Sequence, residues 1–581
     1  MKIHGQRRIG MYNRAMRLYP APVKTVKGTY WGYLNKKGEF AINPTFDYAM
    51  DFQLNGMAIV EKNNHYGLIN EFGKYVVSPQ YDSISDFSEG RAIVTKDDGF
   101  YVMNEQGKLL NTKPYSYIGG YQNSRAIFSE VKDTDTLYGY LNLKGKEVIK
   151  AQYKSASDFQ NQKAIVQSKD DIYSLIDQQG KQVRTYPYPF VGNQGDGLLA
   201  FKEKPEFDAK YGVMDLTGKV IIPPTYSAIQ PFQDGVSVVN ISDDYKNKVG
   251  LIDKRGNYVI KPNYNDINLL KEGRVAIGKA MNEEEPYRGS KYAIATMDGA
   301  LLTDFNFTQV LPFERGYASA SGGSSTFFIN RSGKMVTTLP VLSGSGTLSF
   351  EGDIIKAFID QRISYYTKDG KLVWKQNRVI PLSRNFKVIE KKYKPNDNDL
   401  VYYPQVSGMD NENTEHKVNK KLKKLSMAKE SGDQGDFTYS ADFDIQFFKK
   451  DLLVLKLSGY LYHFGAAHGM PSLHYPHVDL NSGAFYQLED LFKEDSDYIK
   501  EISNLIAEKI KTDEKYSYVF PDAITSIKPD QPFYVSDNSL YIYFEPYEIA
   551  PFVAGFPTFE IPYYQVNHLL NKEGAFWKAY H

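Results

Sequence analysis

The sequence predicts a mostly β protein, a tandem array of three-stranded β-repeats followed by an α+β domain. Three observations carry this. A turn glycine recurs every 34 to 43 residues at Gly38, Gly73, Gly107, Gly145, Gly180, Gly218, Gly256, Gly299, Gly333 and Gly370. An aromatic-Gly pair precedes it in fixed phase at Trp31-Gly32, Tyr66-Gly67, Tyr138-Gly139 and Tyr211-Gly212, with Val249-Gly250 a near match. Helical periodicity appears only after residue 400, where the pattern changes.

The unit is clearest at Tyr211 to Val239. Tyr211, Val213 and Asp215 alternate with Gly212, Met214 and Leu216 as in a half-buried strand, and Thr217-Gly218 supplies a tight turn. Val220 to Ile222 returns antiparallel. Pro223 and Pro224 are expected to end the pairing, because neither donates to a ladder, so Tyr226 opens an irregular corner. After Asp234-Gly235, the run Val236, Val238, Val239 forms a third strand. Such a unit cannot bury its own faces, so neighbours must stack. Ten units exceed the usual four to eight blades of a propeller, which favours an open or superhelical array, or two smaller rings, over one propeller-like ring.

Composition narrows the function classes. The chain has 581 residues, of which 46 are Tyr and 34 Phe, an aromatic load suited to β-rich surfaces. Lys plus Arg number 70 against 69 Asp plus Glu, so no global field recruits nucleic acid or an anionic membrane. The absence of cysteine excludes disulfides, thiolate metal sites and a cysteine nucleophile. No apolar run is long enough to cross a membrane as a helix. The N-terminus carries Lys2, Arg7, Arg8, Arg14 and Arg17 without an apolar stretch, so as written it is not a secretory signal.

The expected organisation is a basic tail over 1–28, the repeat array over 29–385, a linker over 386–400 containing the polar run KKYKPNDND, and an α+β binding domain over 401–581. In that last part a helix is predicted over about 411–428, with Val418, Leu422 and Leu425 on one face, acidic residues early and lysines late. Strands follow at 441–448 and 452–462, then a turn, a strand at 474–480 and a return at 485–488. A second helix over about 496–511 carries Ile499, Ile502, Ile506 and Ile510 on one stripe, with Ser496 as its N-cap, and a strand closes at 540–544.

The repeats resemble the bacterial WG-repeat family, whose pattern is an aromatic-Gly pair, an acidic or amide residue, a turn glycine and a Pro-x-Tyr corner. The resemblance covers 29–374 and implies a scaffold without catalytic activity of its own. SGYLYHFGAAHGMPSLHYPHVDLNSG, LEDLF and YFEPYEIAPFVAGFPTFEIPY resemble the extracytoplasmic domain of lysozyme-sensing anti-sigma factors and the accessory domain of some peptidoglycan deacetylases. YPQVSGMDNENTEHKVNKKLKKL is similar to the helical subdomain that precedes it. The family's Gly-Gly-Ala-His-Gly stands here as Gly465-Ala466-Ala467-His468-Gly469. The resemblance implies a binding domain in the cell envelope, with a protein or a peptidoglycan-type glycan as ligand and no cofactor.

Four of the nine histidines, His463, His468, His474 and His477, fall within fifteen residues, and imidazole clusters are common zinc sites. Strand alternation sends His474 and His477 to opposite faces unless Pro476 kinks the strand, and no HExxH accompanies them. GxSxG and Walker motifs are also missing; Ser129 to Lys132 and Ser426 to Lys429 match SxxK, a short pattern expected by chance. Exposed aromatics such as Trp31 could stack on sugar rings, yet recurrence at one phase reads better as the shared core of neighbouring units. The leading expectation is a non-enzymatic bacterial binding or scaffold protein acting in the envelope. A metal-dependent cell-wall hydrolase using the histidine cluster and an intracellular repeat scaffold are the alternatives.

Overall fold

The computed structural model describes residues 17–383, 385–427, 436–520, 523 and 526–581. Lys2, Arg7, Arg8 and Arg14 of the basic tail, and Lys429 of the second SxxK match, lie outside them. Two compact units divide the chain: 1–22 with 31–375, and 23–30 with 376–581.

Residues 19–375 form ten small antiparallel sheets in sequence order, sheets 1 to 10, spanning 19–46, 48–81, 83–104, 117–153, 155–186, 190–226, 228–264, 266–296, 309–343 and 346–375, all of the first unit except residues 23–30 of sheet 1. The expected three-stranded unit describes sheets 1, 3 and 8, while the other seven gain a fourth strand. The unforeseen strand is in most sheets a short leading segment after the corner, such as Tyr48–Ala49 or Ala228–Ile229, which pairs with the strand following it; sheets 3 and 8 have this segment too and lack the outer return strand instead.

All ten predicted turn glycines have positive φ, from +70° to +86°. The same turns are held by a side chain at their first position. The Oδ1 of Asn70, Asn142, Asp215 or Asp253 accepts from the N–H groups two and four residues on.

The prolines do not end the pairing. Pro44, Pro79, Pro223, Pro224 and Pro262 lie inside the outermost strands Phe40–Phe46, Tyr75–Tyr81, Val220–Tyr226 and Tyr258–Tyr264. Each of these strands is bulged. Between the pairs Tyr66↔Tyr81 and Leu68↔Val77 one strand advances two residues and its partner four, and the same shift recurs at Trp31↔Phe46 and Tyr211↔Tyr226. An edge strand with a bulge has no ladder bond to lose at proline. The bulge presses onto the glycine of the aromatic-Gly pair. A Cβ there would stand 2.4 Å from Ile42 O at Gly32, 2.6 Å from Val77 O at Gly67, 2.4 Å from Ile149 O at Gly139 and 2.8 Å from Ile222 O at Gly212. Trp31, Tyr66, Tyr138 and Tyr211 themselves are half-buried. Trp31 meets Tyr48 of the next sheet edge-on, and Tyr211 meets Phe190 in the same way within sheet 6.

Apolar clusters join each sheet to the next, nine in succession from sheet 1 to sheet 10. A tenth cluster joins sheet 10 to sheet 1: Tyr19, Ala21 and Leu34 pack with Ile354, Ile363 and Tyr365. Tyr365 OH donates to Pro20 O at 2.7 Å, and Phe40 meets Trp374 edge-on. The first unit is therefore one closed, propeller-like ring rather than an open array. Residues 19–28, assigned to a tail from their charge, are instead strand Tyr19–Thr25 and the start of strand Gly28–Leu34.

The second unit begins at Gln376 rather than after a linker. Lys387–Tyr393, within the predicted linker, is a strand paired along its length with Asp399–Ser407. These belong to an eight-stranded sheet that also holds Phe437–Lys449 and Leu452–His463. Asp399–Ser407 and Phe437–Lys449 run parallel, so the chain between them crosses over through helix α1 (Glu412–Leu425). Asn411 caps α1 by accepting from Thr414 N–H, and Val418 and Leu422 pack on Phe443, Leu455 and Val478. Helix α2 (Tyr498–Thr512) buries Ile502 and Ile506 against a three-stranded sheet of Phe533–Val535, Ser539–Tyr543 and Thr558–Pro562. Its N-cap is Asp497, not Ser496, whose hydroxyl donates to Lys493 O. A buried ammonium, Lys24, lies 3.2 Å from buried Glu390 and 2.6 Å from Asp442, and donates to Phe443 O.

Candidate functional site

The long hairpin of Leu452–His463 and Met470–His474 ends in the loop 464–469. Gly465 takes the left-handed turn, with φ +82°, whereas Ala466 does not, so the alanine replacing a family glycine is accommodated without strain. Gly469 closes the loop. Its N–H donates to Tyr460 OH at 3.0 Å, and a Cβ would collide with Leu461 O and the Tyr460 ring at 2.6 Å.

This closure presents His468. Its Nδ1 is 3.1 Å from Gly469 O and its Nε2 is 3.2 Å from Tyr547 OH. Both contacts are satisfied when Nδ1–H donates to the carbonyl and Nε2 accepts from the phenol. The ring lies 4.3 Å from Phe552, which also packs on Tyr547. Tyr547 and Phe552 belong to a loop over 545–556, inside the family-like motif YFEPYEIAPFVAGFPTFEIPY, although neither is a candidate site residue from the sequence. Ile549 and Ala550 anchor it in the core, and Phe520 N–H donates to Ile549 O. On either side of the anchor it turns, at Tyr547 (φ +68°) and Gly555 (φ +63°), and leaves Tyr547 53% and Val553 92% exposed. Tyr460 and Met470 add further exposed apolar surface beside the first loop. Exposed rings and aliphatic groups on anchored loops are the chemistry of a protein-contact surface.

The other predicted histidines are distributed differently. His477 is in the core, its ring stacked on Phe533 at 4.3 Å and edge-on to Phe576. Burial, with the charge of His474 beside it, lowers its pKa to about 3, and its Nε2 has no partner among the described residues. His474 ends one strand, exposed, and the break at Tyr475-Pro476 separates it from the strand His477–Asp479. His463 ends its strand against Phe437. Among the described residues no three histidine or carboxylate side chains come together in a way that could hold a metal ion. Nor is any helix there long and apolar enough to cross a membrane.

Comparison with known proteins divides the chain in the same way. Residues 31–65, 66–100, 138–171, 211–245 and 250–279 match the WG containing repeat, and 489–564 match DUF3298, a family of unknown function. The anti-sigma-V factor RsiV of Bacillus subtilis is 29% identical over 187 residues. That alignment covers 29% of this chain and 64% of the relative, so the chain spans less than two thirds of RsiV's length. A DUF3298-family crystal structure from Bacteroides fragilis is 17% identical, with TM-score 0.25, over 32% of this chain and 93% of its own. BamB from Moraxella catarrhalis is 14% identical, with TM-score 0.28, over 50% of this chain and 91% of its own. The chain thus carries WG repeats in its N-terminal region and a DUF3298 domain at its C-terminus, with an anti-sigma factor as homologue.

Proposed function

We propose that this is a non-enzymatic binding protein of the bacterial envelope whose C-terminal domain captures a protein partner through the paired loops 464–469 and 545–556. The observation that carries the reading is the cluster of exposed His468 and Tyr547 on half-buried Phe552, with exposed Val553 beyond it, on loops held by buried anchors. The resemblance of the loop motifs to the extracytoplasmic domain of lysozyme-sensing anti-sigma factors, with an anti-sigma factor as homologue, favours a partner outside the membrane. Lysozyme is the first partner to try, following the resemblance of the loop motif to lysozyme-sensing domains. Calorimetric titration of lysozyme into the full chain, and into Tyr547→Ala and Val553→Asp, tests it. Micromolar or tighter binding that weakens at least about tenfold in both variants is expected. Binding that both variants leave unchanged would move the interface elsewhere, and no heat at several temperatures would remove lysozyme as the partner.

A further inference from the structure

The seam that closes the ring contains a cavity of about 360 Å³ lined by residues of four sheets. Trp31 comes from sheet 1, Tyr48 opens sheet 2 and Asp51 and Gln53 follow it, Asp86 follows the first strand of sheet 3, and Lys356 comes from sheet 10. Its size falls at the lower end of the range for small-molecule sites, roughly 300–1,000 Å³.

We propose that this cavity binds a neutral sugar, a site distinct from the C-terminal loops and independent of their reading. Trp31 is the one tryptophan among the aromatic-Gly pairs. It is half-buried and meets Tyr48 at 5.0 Å and 66°, so the two rings form a corner, with Tyr48 41% exposed. An aromatic face beside polar groups suits a pyranose, which has an apolar C–H face and a rim of hydroxyls. The polar lining offers both donors and acceptors. Asp51 and Asp86 sit at the same position of successive repeats, each before a phenylalanine, and Lys356 Nζ lies 2.9 and 2.7 Å from the two carboxylate oxygens of Asp51. Gln53 accepts from Phe87 N–H at 2.8 Å, which fixes its amide, while its buried Nε2 has no partner among the described residues. An acceptor supplied by a ligand would satisfy that donor.

Charge decides against two other ligand classes. Two carboxylates against one ammonium disfavour an anionic ligand. The Lys356 ammonium, held in the wall by Asp51, disfavours a quaternary ammonium that the aromatic corner alone would attract. Mixed donors and acceptors with little net charge fit vicinal hydroxyls.

Saturation-transfer NMR on the full chain tests the proposal with cellobiose and N,N′-diacetylchitobiose as probes, and with choline and glucuronate as the charged comparisons. Tyr48→Ala and Asp86→Ala change exposed side chains, so retained near-UV circular dichroism will certify their folds. Transfer to the ring protons of at least one disaccharide, with affinity about tenfold weaker in each variant, is expected. No transfer to either disaccharide, transfer that both variants leave unchanged, or preferential binding of choline or glucuronate would overturn it.

Discussion

The ring and the C-terminal domain solve the same problem of covering β-sheet faces by opposite means. The ring repeats one short sheet and covers each face with the next copy, so every copy carries a glycine for the left-handed turn, and five of the ten add a second, at Gly32, Gly67, Gly139, Gly212 and Gly250, under a bulge. The C-terminal domain builds one wide sheet and covers it with helices and a second small sheet, so its positions are individual. In the ring a function must arise where the repeats differ. In the domain it can sit on loops that no neighbouring copy constrains.

The largest expected effect tests how the domain handles charge. Lys24→Ala removes the buried ammonium that lies 3.2 Å from Glu390, 2% exposed, and 2.6 Å from Asp442, and a loss of about 3–5 kcal/mol is expected. Urea unfolding followed by Trp577 fluorescence, in a Trp31→Phe, Trp374→Phe background, confines the measurement to that unit. In the ring, Gly139→Val places a Cβ 2.4 Å from Ile149 O, and about 3 kcal/mol or more should be lost by far-UV circular dichroism.

An acid slope is next. The folded pKa of His477, about 3, lies below the unfolded value near 6.5. The unfolded chain therefore binds the extra proton, and the stability His477 confers is complete above about pH 6.5 and falls by up to about 1.4 kcal/mol per pH unit as pH drops toward 3. His477→Leu should flatten that slope in urea titrations of the Trp577 background. The smallest effect sharpens the glycine argument. Gly370 has φ +85° and open space around it, so Gly370→Ala isolates backbone strain and should cost about 1–2 kcal/mol in thermal unfolding. A loss equal to that of Gly139→Val would mean that the two glycine classes do not differ.

Legibility in the sequence followed the range of the forces. The ten turn glycines were readable because a left-handed residue is a local requirement, and α1 because its cap, charge order and apolar face lie within one segment. Ring closure was not readable, since it depends on a small rotation between sheets summed ten times. Lys387–Tyr393 was hidden because its outward face is Lys-rich and resembles a linker. The prolines misled because an edge strand with a bulge tolerates what an interior strand does not. At the candidate site His468 was visible through its motif. Tyr547 and Phe552 stand 79 and 84 residues further on, in a stretch at 543–563 that the same resemblance marked, but nothing local in it showed that these two rings meet His468.

The seam between sheets 1 and 10 also sets an order of events during synthesis. Tyr365 OH reaches a carbonyl 345 residues earlier in the chain, so sheet 1 is made first and finds its second neighbour last. Until residue 375 has left the ribosome, Tyr19, Ala21 and Leu34 have an apolar face with nothing to cover it. A nascent ring is thus most adhesive at its oldest end, and the cavity lined by Trp31, Tyr48 and Lys356 comes into being only in the final step, when the last sheet arrives.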